Sequence, residues 1–164
     1  MADRETEAAA TALLDLCKSK KLMVATAESC TGGLVVGALT DIAGSSAVVD
    51  RGFVTYTNAA KHQMLGVPSA TIERHGAVSR ETAEAMVRGA LGHANADLAV
   101  SITGIAGPGG GTADKPVGLV HFAAGSRGGN LIHRQRRFGD IGRGAVRRLS
   151  VLEALSMLTE LARS

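Results

Sequence analysis

Thr26-Ala27-Glu28-Ser29-Cys30-Thr31-Gly32-Gly33 is the stretch whose reading decides the fold. Before it, Leu22-Met23-Val24-Ala25 is short, apolar and partly β-branched, the pattern of a buried strand. After it, Leu34-Val35-Val36-Gly37-Ala38-Leu39 stays apolar for long enough to be a helix. Ser29 is therefore expected on a tight strand-to-helix turn, as a candidate nucleophile. Gly32 and Gly33 lack a Cβ, so backbone and ligand can approach each other closely there. Unpaired N–H groups at the helix start would form a site for an anion, either a phosphate or an oxyanion. The same hydroxyl also suits a plain helix cap. This stretch alone leaves both roles open.

Composition narrows the choices. A chain of 164 residues fits one domain with a core of its own. With no Trp, one Tyr and three Phe, that core must be built from Val, Leu, Ile and Ala in close layers, which suits helices packed on a sheet. No apolar run approaches the length of a membrane span, and Met1-Ala2-Asp3-Arg4-Glu5 has no signal-peptide pattern, so no membrane partner is expected. Cys17 and Cys30 have no CxxC spacing, and Cys17 shares a helical stripe with Ala9, Leu13 and Leu16. A reducing, cytoplasmic setting follows from that cysteine usage. The net charge is +3, with Arg134, Arg136, Arg137, Arg143, Arg147 and Arg148 gathered late in the chain. Such a cluster can bind nucleic acid, but single-strand binders need aromatic platforms that this chain lacks. A phosphorylated small molecule fits better, and a solvated basic face is the plain alternative.

Outward from the turn, hydrophobic periodicity sets the remaining elements. Residues 4 to 20 read as an amphipathic helix with Ala9, Ala12, Leu13, Leu16 and Cys17 on one stripe. The helix after Ser29 should reach about Ile42, and a strand should run from about Val48 to Tyr56. Thr57 or Asn58 caps a short helix through Lys61 and Leu65, ending near Gly66 with Pro68 behind it. Residues 79 to 94 give the clearest helix, with Ala83, Met86, Val87, Ala90, Leu91 and Ala94 on one face and Ser79 as cap. Asp97 to Thr103 reads as a strand and Gly104 to Pro116 as a glycine-rich loop. Val117 to Ala124 and Leu131 to Phe138 form a hairpin through Ser126-Arg127-Gly128-Gly129-Asn130. The last helix starts near Gly142 and buries Val151, Leu155, Leu158 and Ala162. The pattern predicts an α/β fold, a single three-layer α/β/α domain with a mixed sheet.

Open α/β sheets collect their sites outside the carboxyl ends of strands. Three such ends carry chemistry here: Ser29, the Tyr56 to Lys61 segment, and Thr103 with Gly104. If these strands are parallel neighbours, the three ends meet in one crevice. Lys61 falls in the first turn of its helix, where the dipole disfavours a cation, and partial burial lowers an amine's pKa in the same direction. A neutral Lys61 is thus a candidate general base, with Tyr56 to relay the proton or hold the amine; a solvent-facing lysine beside a core tyrosine is the plain alternative. Asp140, Gly142 and Arg143 can present a guanidinium and free N–H groups to a phosphate. The loop Gly104 to Gly111 fits neither GxxxxGK[ST] nor a GxGxxG that opens a helix. The five histidines show no HExxH and no Cys/His spacing, so no metal is expected.

Taken together these segments are similar to the C-terminal domain family of the competence/damage-inducible protein CinA, the nicotinamide-nucleotide amidohydrolases. The likeness is carried by Thr26 to Gly33, Asp41-Ile42-Ala43-Gly44-Ser45-Ser46 and Arg51-Gly52-Phe53-Val54-Thr55-Tyr56. It continues through His75-Gly76-Ala77-Val78-Ser79, Ser101 to Pro108 and Lys115-Pro116-Val117-Gly118. The resemblance implies a CinA C-terminal domain-like fold and deamidation of nicotinamide mononucleotide to nicotinic acid mononucleotide and ammonia, with no cofactor. It implies Ser29 as nucleophile with Lys61 and Tyr56 as activating partners. Cys30, Thr31, Gly32 and Gly33 of the turn, Thr103 and Gly104, and Arg143 are then the candidate substrate-binding residues. A homodimer is expected from the apolar helices and the family. So is a single domain over residues 1–164, without the N-terminal nucleotide-hydrolase domain that some members carry. Two segments depart from the pattern: Ala59 stands where the family often has Glu, and Phe138 to Arg143 is longer than the usual Gly-Asp-Arg turn. Two rival readings stand beside the amidase: the Cys30 thiol as nucleophile, activated at a helix start, and a pyridine-nucleotide-binding regulatory protein without hydrolysis.

Overall fold

The structure, a computed structural model, describes residues 3–164. Helix α1 (Arg4–Lys20) starts at Asp3, whose side chain accepts a hydrogen bond from Thr6 N at 2.8 Å. Glu5 and Glu7 lie in its first turn, Lys18 and Lys20 in its last, and both pairs complement the helix dipole. Its fully buried stripe is Ala10, Leu13, Leu14 and Cys17. Ala9 and Leu16, expected at the centre of that stripe, flank it half-buried.

Strand β1 (Val24–Glu28) continues past the apolar run through Thr26 and Glu28, because both side chains are satisfied internally rather than by water. The predicted strand had stopped at Ala25. Helix α2 (Leu34–Thr40) follows, and then strand β2 (Val49–Val54), helix α3 (Asn58–Leu65) and helix α4 (Ser69–His75). Thr57 is the cap of α3, its Oγ1 accepting from Ala60 N at 3.0 Å. Helix α4 buries no residue, so no apolar period announced it, and α2 stops at Thr40 rather than Ile42. Helix α5 (Arg80–His93) is capped by Ser79, which accepts from Thr82 N at 3.1 Å. Strands β3 (Leu98–Gly104), β4 (Leu119–Ser126) and β5 (Leu131–Arg137) and helix α6 (Arg143–Arg163) complete the chain.

The five strands form one mixed sheet in the order β2-β1-β3-β4-β5. The pairs β1–β2 and β1–β3 are parallel; β3–β4 and β4–β5 are antiparallel, the latter as the predicted hairpin. Helices cover both faces, giving the expected three-layer α/β/α domain. On one face Val24, Val100, Ile102, Val120 and Phe122 pack with Leu13 and Leu14 of α1 and Leu155 and Leu158 of α6. On the other, Ala25, Ala27, Ala99 and Ala123 are small, so α5 settles closely on the sheet through Ala83, Met86, Val87 and Ala90. Close approach is also demanded of Gly89: a Cβ there would lie 2.0 Å from the Leu65 carbonyl oxygen at the end of α3.

The chain leaves β1 towards β2 through α2 and leaves β2 towards β3 through α3, α4 and α5, whose α5 lies on the opposite face. The carboxyl ends of β1 and β3 therefore flank a topological switch point, where α/β sheets open a crevice. Glu28 pairs with Val54 on one side and Ile102 on the other, so three parallel strand ends lie side by side.

Candidate active site

Ser29 directly follows β1. Its amide donates to Ile102 O at 2.9 Å, which carries the strand pairing into the turn. Gly32 N then donates to Ser29 O at 3.0 Å and Leu34 N to Thr31 O at 3.0 Å, folding the chain back on itself. Gly33, with φ of 102°, makes the reversal that lets α2 begin, a conformation that costs other residues energy.

The start of α2 is not a free anion site. Glu28 is fully buried and turns its carboxylate beneath this helix. Oε1 accepts from Thr31 Oγ1 at 2.7 Å, Val35 N at 2.9 Å and Gly33 N at 3.2 Å. Oε2 accepts from Val36 N at 3.0 Å and Thr26 Oγ1 at 3.1 Å. The anion that a helix start attracts is thus supplied by the chain itself. Expectations for three turn residues are corrected accordingly. Thr31 spends its side chain on Glu28, Gly32 lies against the Arg147 guanidinium, and Gly33 faces a separate cleft of about 370 Å³ among α1, α2 and α6. Only Ser29 and Cys30 of the turn line the pocket at the strand ends.

That pocket has a volume of about 250 Å³ and is lined by Ser29, Cys30, Tyr56, Lys61, Thr103 and Arg143, with Ala77, Val78 and the loop Gly104 to Gly110 around them. Lys61, in the first turn of α3, is 1% exposed. Its Nζ lies 3.0 Å from Ser29 Oγ, and it donates to the main-chain carbonyls of Thr55 at 2.9 Å and Tyr56 at 3.2 Å. No carboxylate pairs with it among the described residues. Burial consequently holds its pKa below the ordinary lysine value. The Thr55 hydroxyl, one residue before Tyr56, is buried without a hydrogen-bond partner.

Tyr56 differs from its expected position. Its ring is 59% exposed, and its hydroxyl accepts from Arg143 Nη2 at 3.1 Å; only its backbone carbonyl reaches Lys61. In this structure the phenol makes no direct relay to the amine, because the chain reverses into α3 at Thr57 and sends the ring towards the pocket mouth. Arg143 also donates through Nη1 to Gly107 O at 2.8 Å, so it bridges the glycine loop and the tyrosine. Thr103 Oγ1 donates to Ala77 O at 2.7 Å, tying the end of β3 to the segment before α5. Gly104 packs so closely on Val120 and Leu119 that a Cβ there would fall within 3 Å of both.

The Cys30 thiol is 6% exposed, and burial foremost pushes its pKa up to about 11, opposite to an activated thiolate. The late arginines are largely occupied. Arg134 pairs with Glu160, Arg136 with Glu153, and Arg148 with Asp3 and Glu5. Arg147 donates to Cys30 O at 3.1 Å and Thr31 O at 3.3 Å. Among the described residues no group of three His, Cys, Asp or Glu is arranged to hold a metal ion, and no helix is long and apolar enough to cross a membrane.

Glu28 has no role legible from its residue type and position alone, and Arg147 stands in the sequence only as one of a cluster. A signal for Glu28 was present: an apolar helix opening on Gly33 has no capping side chain, so its first amides must find an acceptor elsewhere.

The family model for the CinA C-terminal domain matches residues 6–162. The chain belongs to that family. It is 54% identical over 142 residues to a protein named nicotinamide-nucleotide amidohydrolase PncC from Escherichia coli K12, covering 86% of this chain and 85% of that one. It is 49% identical over 148 residues to a CinA-like protein of Geobacter sulfurreducens; this covers 90% of this chain but 35% of that longer protein. Among solved structures, the competence/damage inducible protein CihA of Agrobacterium tumefaciens superposes with a TM-score of 0.97 at 55% identity, covering 100% of this chain and 99% of that one. Membership and fold thus agree with the likeness read from the motifs.

Proposed function

We propose that this CinA-family chain is an amidohydrolase that deamidates nicotinamide mononucleotide, with Ser29 as nucleophile and Lys61 as its general base. The similarity to relatives named nicotinamide-nucleotide amidohydrolase supports the substrate class. The observation that carries the mechanism is the environment of the Lys61 amine. A neutral amine has two hydrogens and one lone pair. Thr55 O and Tyr56 O can only accept, so they take both hydrogens at 2.9 and 3.2 Å. The lone pair is left for Ser29 Oγ at 3.0 Å, whose hydroxyl hydrogen it accepts. A protonated lysine would instead carry an uncompensated charge in a buried site, which is costly.

The cycle follows from that arrangement. Ser29 Oγ attacks the carboxamide carbon while Lys61 takes the hydroxyl proton, forming a tetrahedral intermediate. The amide of Cys30, the pocket-lining residue directly after the nucleophile, stabilises its oxyanion; one such donor is typically worth ~10²–10³ in rate. Lys61 passes the proton to the departing nitrogen, the C–N bond breaks, and ammonia leaves. Water then attacks the acyl-serine, Lys61 again taking and returning one proton, to release the carboxylic acid. Arg143 and the loop from Gly107 to Gly110, at the other end of the pocket, suit the phosphate. One domain carries every residue named.

The test is ammonia release from nicotinamide mononucleotide by the purified chain. Ser29→Ala and Lys61→Ala should each lower the rate by about 10³-fold or more. Near-native turnover in either variant ends this mechanism. Calorimetric binding of the nucleotide with no ammonia from the parent chain would instead indicate the regulatory, non-hydrolytic reading.

A further inference from the structure

The cycle above leaves Arg147 without a task. It lies one helical turn after Arg143 on α6 and, like Arg143, bonds backbone carbonyl oxygen rather than a carboxylate. Arg134, Arg136 and Arg148 reach carboxylates, whereas Arg147 forms no salt bridge among the described residues. It reaches the nucleophile's turn, where Nε donates to Cys30 O at 3.1 Å and Nη2 to Thr31 O at 3.3 Å. A Cβ on Gly32 would lie 3.4 Å from Nη2, so the guanidinium sits close against the backbone it bonds.

The consequence follows from peptide planarity. In a trans peptide the carbonyl and the next N–H point in opposite directions. Holding Cys30 C=O towards α6 aims Thr31 N–H away from α6. Holding Thr31 C=O the same way aims Gly32 N–H inward, where it donates to Ser29 O at 3.0 Å. That bond fixes the Ser29–Cys30 peptide in turn and so directs Cys30 N–H.

We infer that Arg147 is a positioning residue for catalysis, holding the turn's carbonyls so that the Cys30 amide is aimed at the oxyanion before substrate arrives. Glu28 holds the same turn by accepting from Gly33, Val35 and Val36. The turn is clamped between an acceptor that takes its later amides and a donor that takes its earlier carbonyls. This inference rests on the amidohydrolase reading above.

The experiment compares steady-state ammonia release from nicotinamide mononucleotide by the parent, Arg147→Met, Arg147→Lys and Ser29→Ala. A lost aim of the oxyanion donor should appear in kcat, because ground-state substrate makes little use of it. The expectation is a fall of about 10²-fold in kcat for Arg147→Met, the scale of a misplaced reacting group. KM should stay within about threefold, and the Lys variant should regain about tenfold by reaching one carbonyl. If the Met variant does not fold, a lower kcat at unchanged KM in the Lys variant carries the same meaning. Turnover of Arg147→Met within about threefold of the parent overturns the inference, as does a loss in which kcat falls, KM rises more than about threefold and thermal stability drops together in both variants. The Ser29→Ala control separates the two claims: if that variant keeps its turnover, the amidohydrolase mechanism itself has failed.

Discussion

Glu28→Gln should destabilise the protein severely although it changes a single atom type. The five donors divide unevenly between the carboxylate oxygens: Thr31 Oγ1, Gly33 N and Val35 N on Oε1, Thr26 Oγ1 and Val36 N on Oε2. The best glutamine rotamer keeps its oxygen at the three-donor position and puts NH₂ at the other. The Thr26 hydroxyl can rotate to accept from that NH₂, but the Val36 amide cannot. One backbone N–H is then left facing a donor beside a fully buried side chain, at a cost of about 1–3 kcal/mol. Loss of the negative charge under the α2 N-terminus adds about 0.3–1 kcal/mol. The sum is about 1.3–4 kcal/mol, or a fall in Tm of roughly 3–16 °C for a chain of this size. Urea unfolding followed by circular dichroism reads the difference directly. A Glu28→Gln protein within about 0.5 kcal/mol of the parent would refute the claim that this carboxylate caps α2 from within.

Other perturbations have equally definite signs. Burial lowers the Lys61 pKa from 10.5, so between the folded value and 10.5 the unfolded chain binds a proton that the folded chain does not, and stability rises with pH across that window. Lys61→Met should therefore raise Tm most at low pH, with the gain shrinking towards pH 10.5; a gain independent of pH would contradict the assignment. In the parent, kcat/KM should rise with pH along a limb set by the same group, and the limb should lie below the ordinary lysine range. His121 stacks on His133, with Nδ1 3.0 Å from Nε2, and burial foremost, then His133, lowers its pKa to about 4 from 6.5. The unfolded chain binds this proton first as pH falls, so stability is lost between pH 6.5 and 4, and His121→Gln should flatten that acid limb in thermal melts. Thr55→Val removes a buried hydroxyl that has no partner and should raise stability by about 1 kcal/mol with turnover retained; a loss of that size would mean the hydroxyl is bonded in solution.

The sequence was most legible where one physical rule acted alone. Met86, Val87 and Ala90 in α5, and Val151, Leu155 and Leu158 in α6, are buried as their helical spacing requires. The meeting of Ser29, Lys61 and Thr103 at one pocket followed from strand ends and topology, with no contact known beforehand, whereas Arg143 was pointed to by the turn before the last helix and by the family resemblance. Legibility failed where a polar side chain is satisfied by distant backbone. Glu28 shows no role in the sequence because its partners at Gly33, Val35 and Val36 exist only once α2 has formed over it. Tyr56 looked like a partner for the Lys61 amine from sequence proximity, but proximity there delivers the carbonyl rather than the phenol. Helix α4 lacks a buried residue and therefore lacked any pattern to read.

The same contrast explains why this site uses a lysine with main-chain partners. A carboxylate beside Lys61 would repay the cost of burying its charge, but it would also hold the proton on the amine and abolish the base. Two backbone carbonyls satisfy the amine's hydrogens without adding a charge, so the neutral form gains its hydrogen bonds and the charged form keeps its desolvation penalty. The chain's one fully buried carboxylate in this region, Glu28, is meanwhile engaged by five donors on the far side of the turn. The fold thus keeps its acid and its amine apart across a single turn of backbone. Placing an acid at the amine tests the point: Thr55→Asp, which puts a carboxylate next to the carbonyl that Lys61 bonds, should raise the amine's pKa and move the acid limb of kcat/KM to higher pH. An unchanged limb in a folded Thr55→Asp protein would show that the absence of a neighbouring carboxylate is not what keeps Lys61 a base.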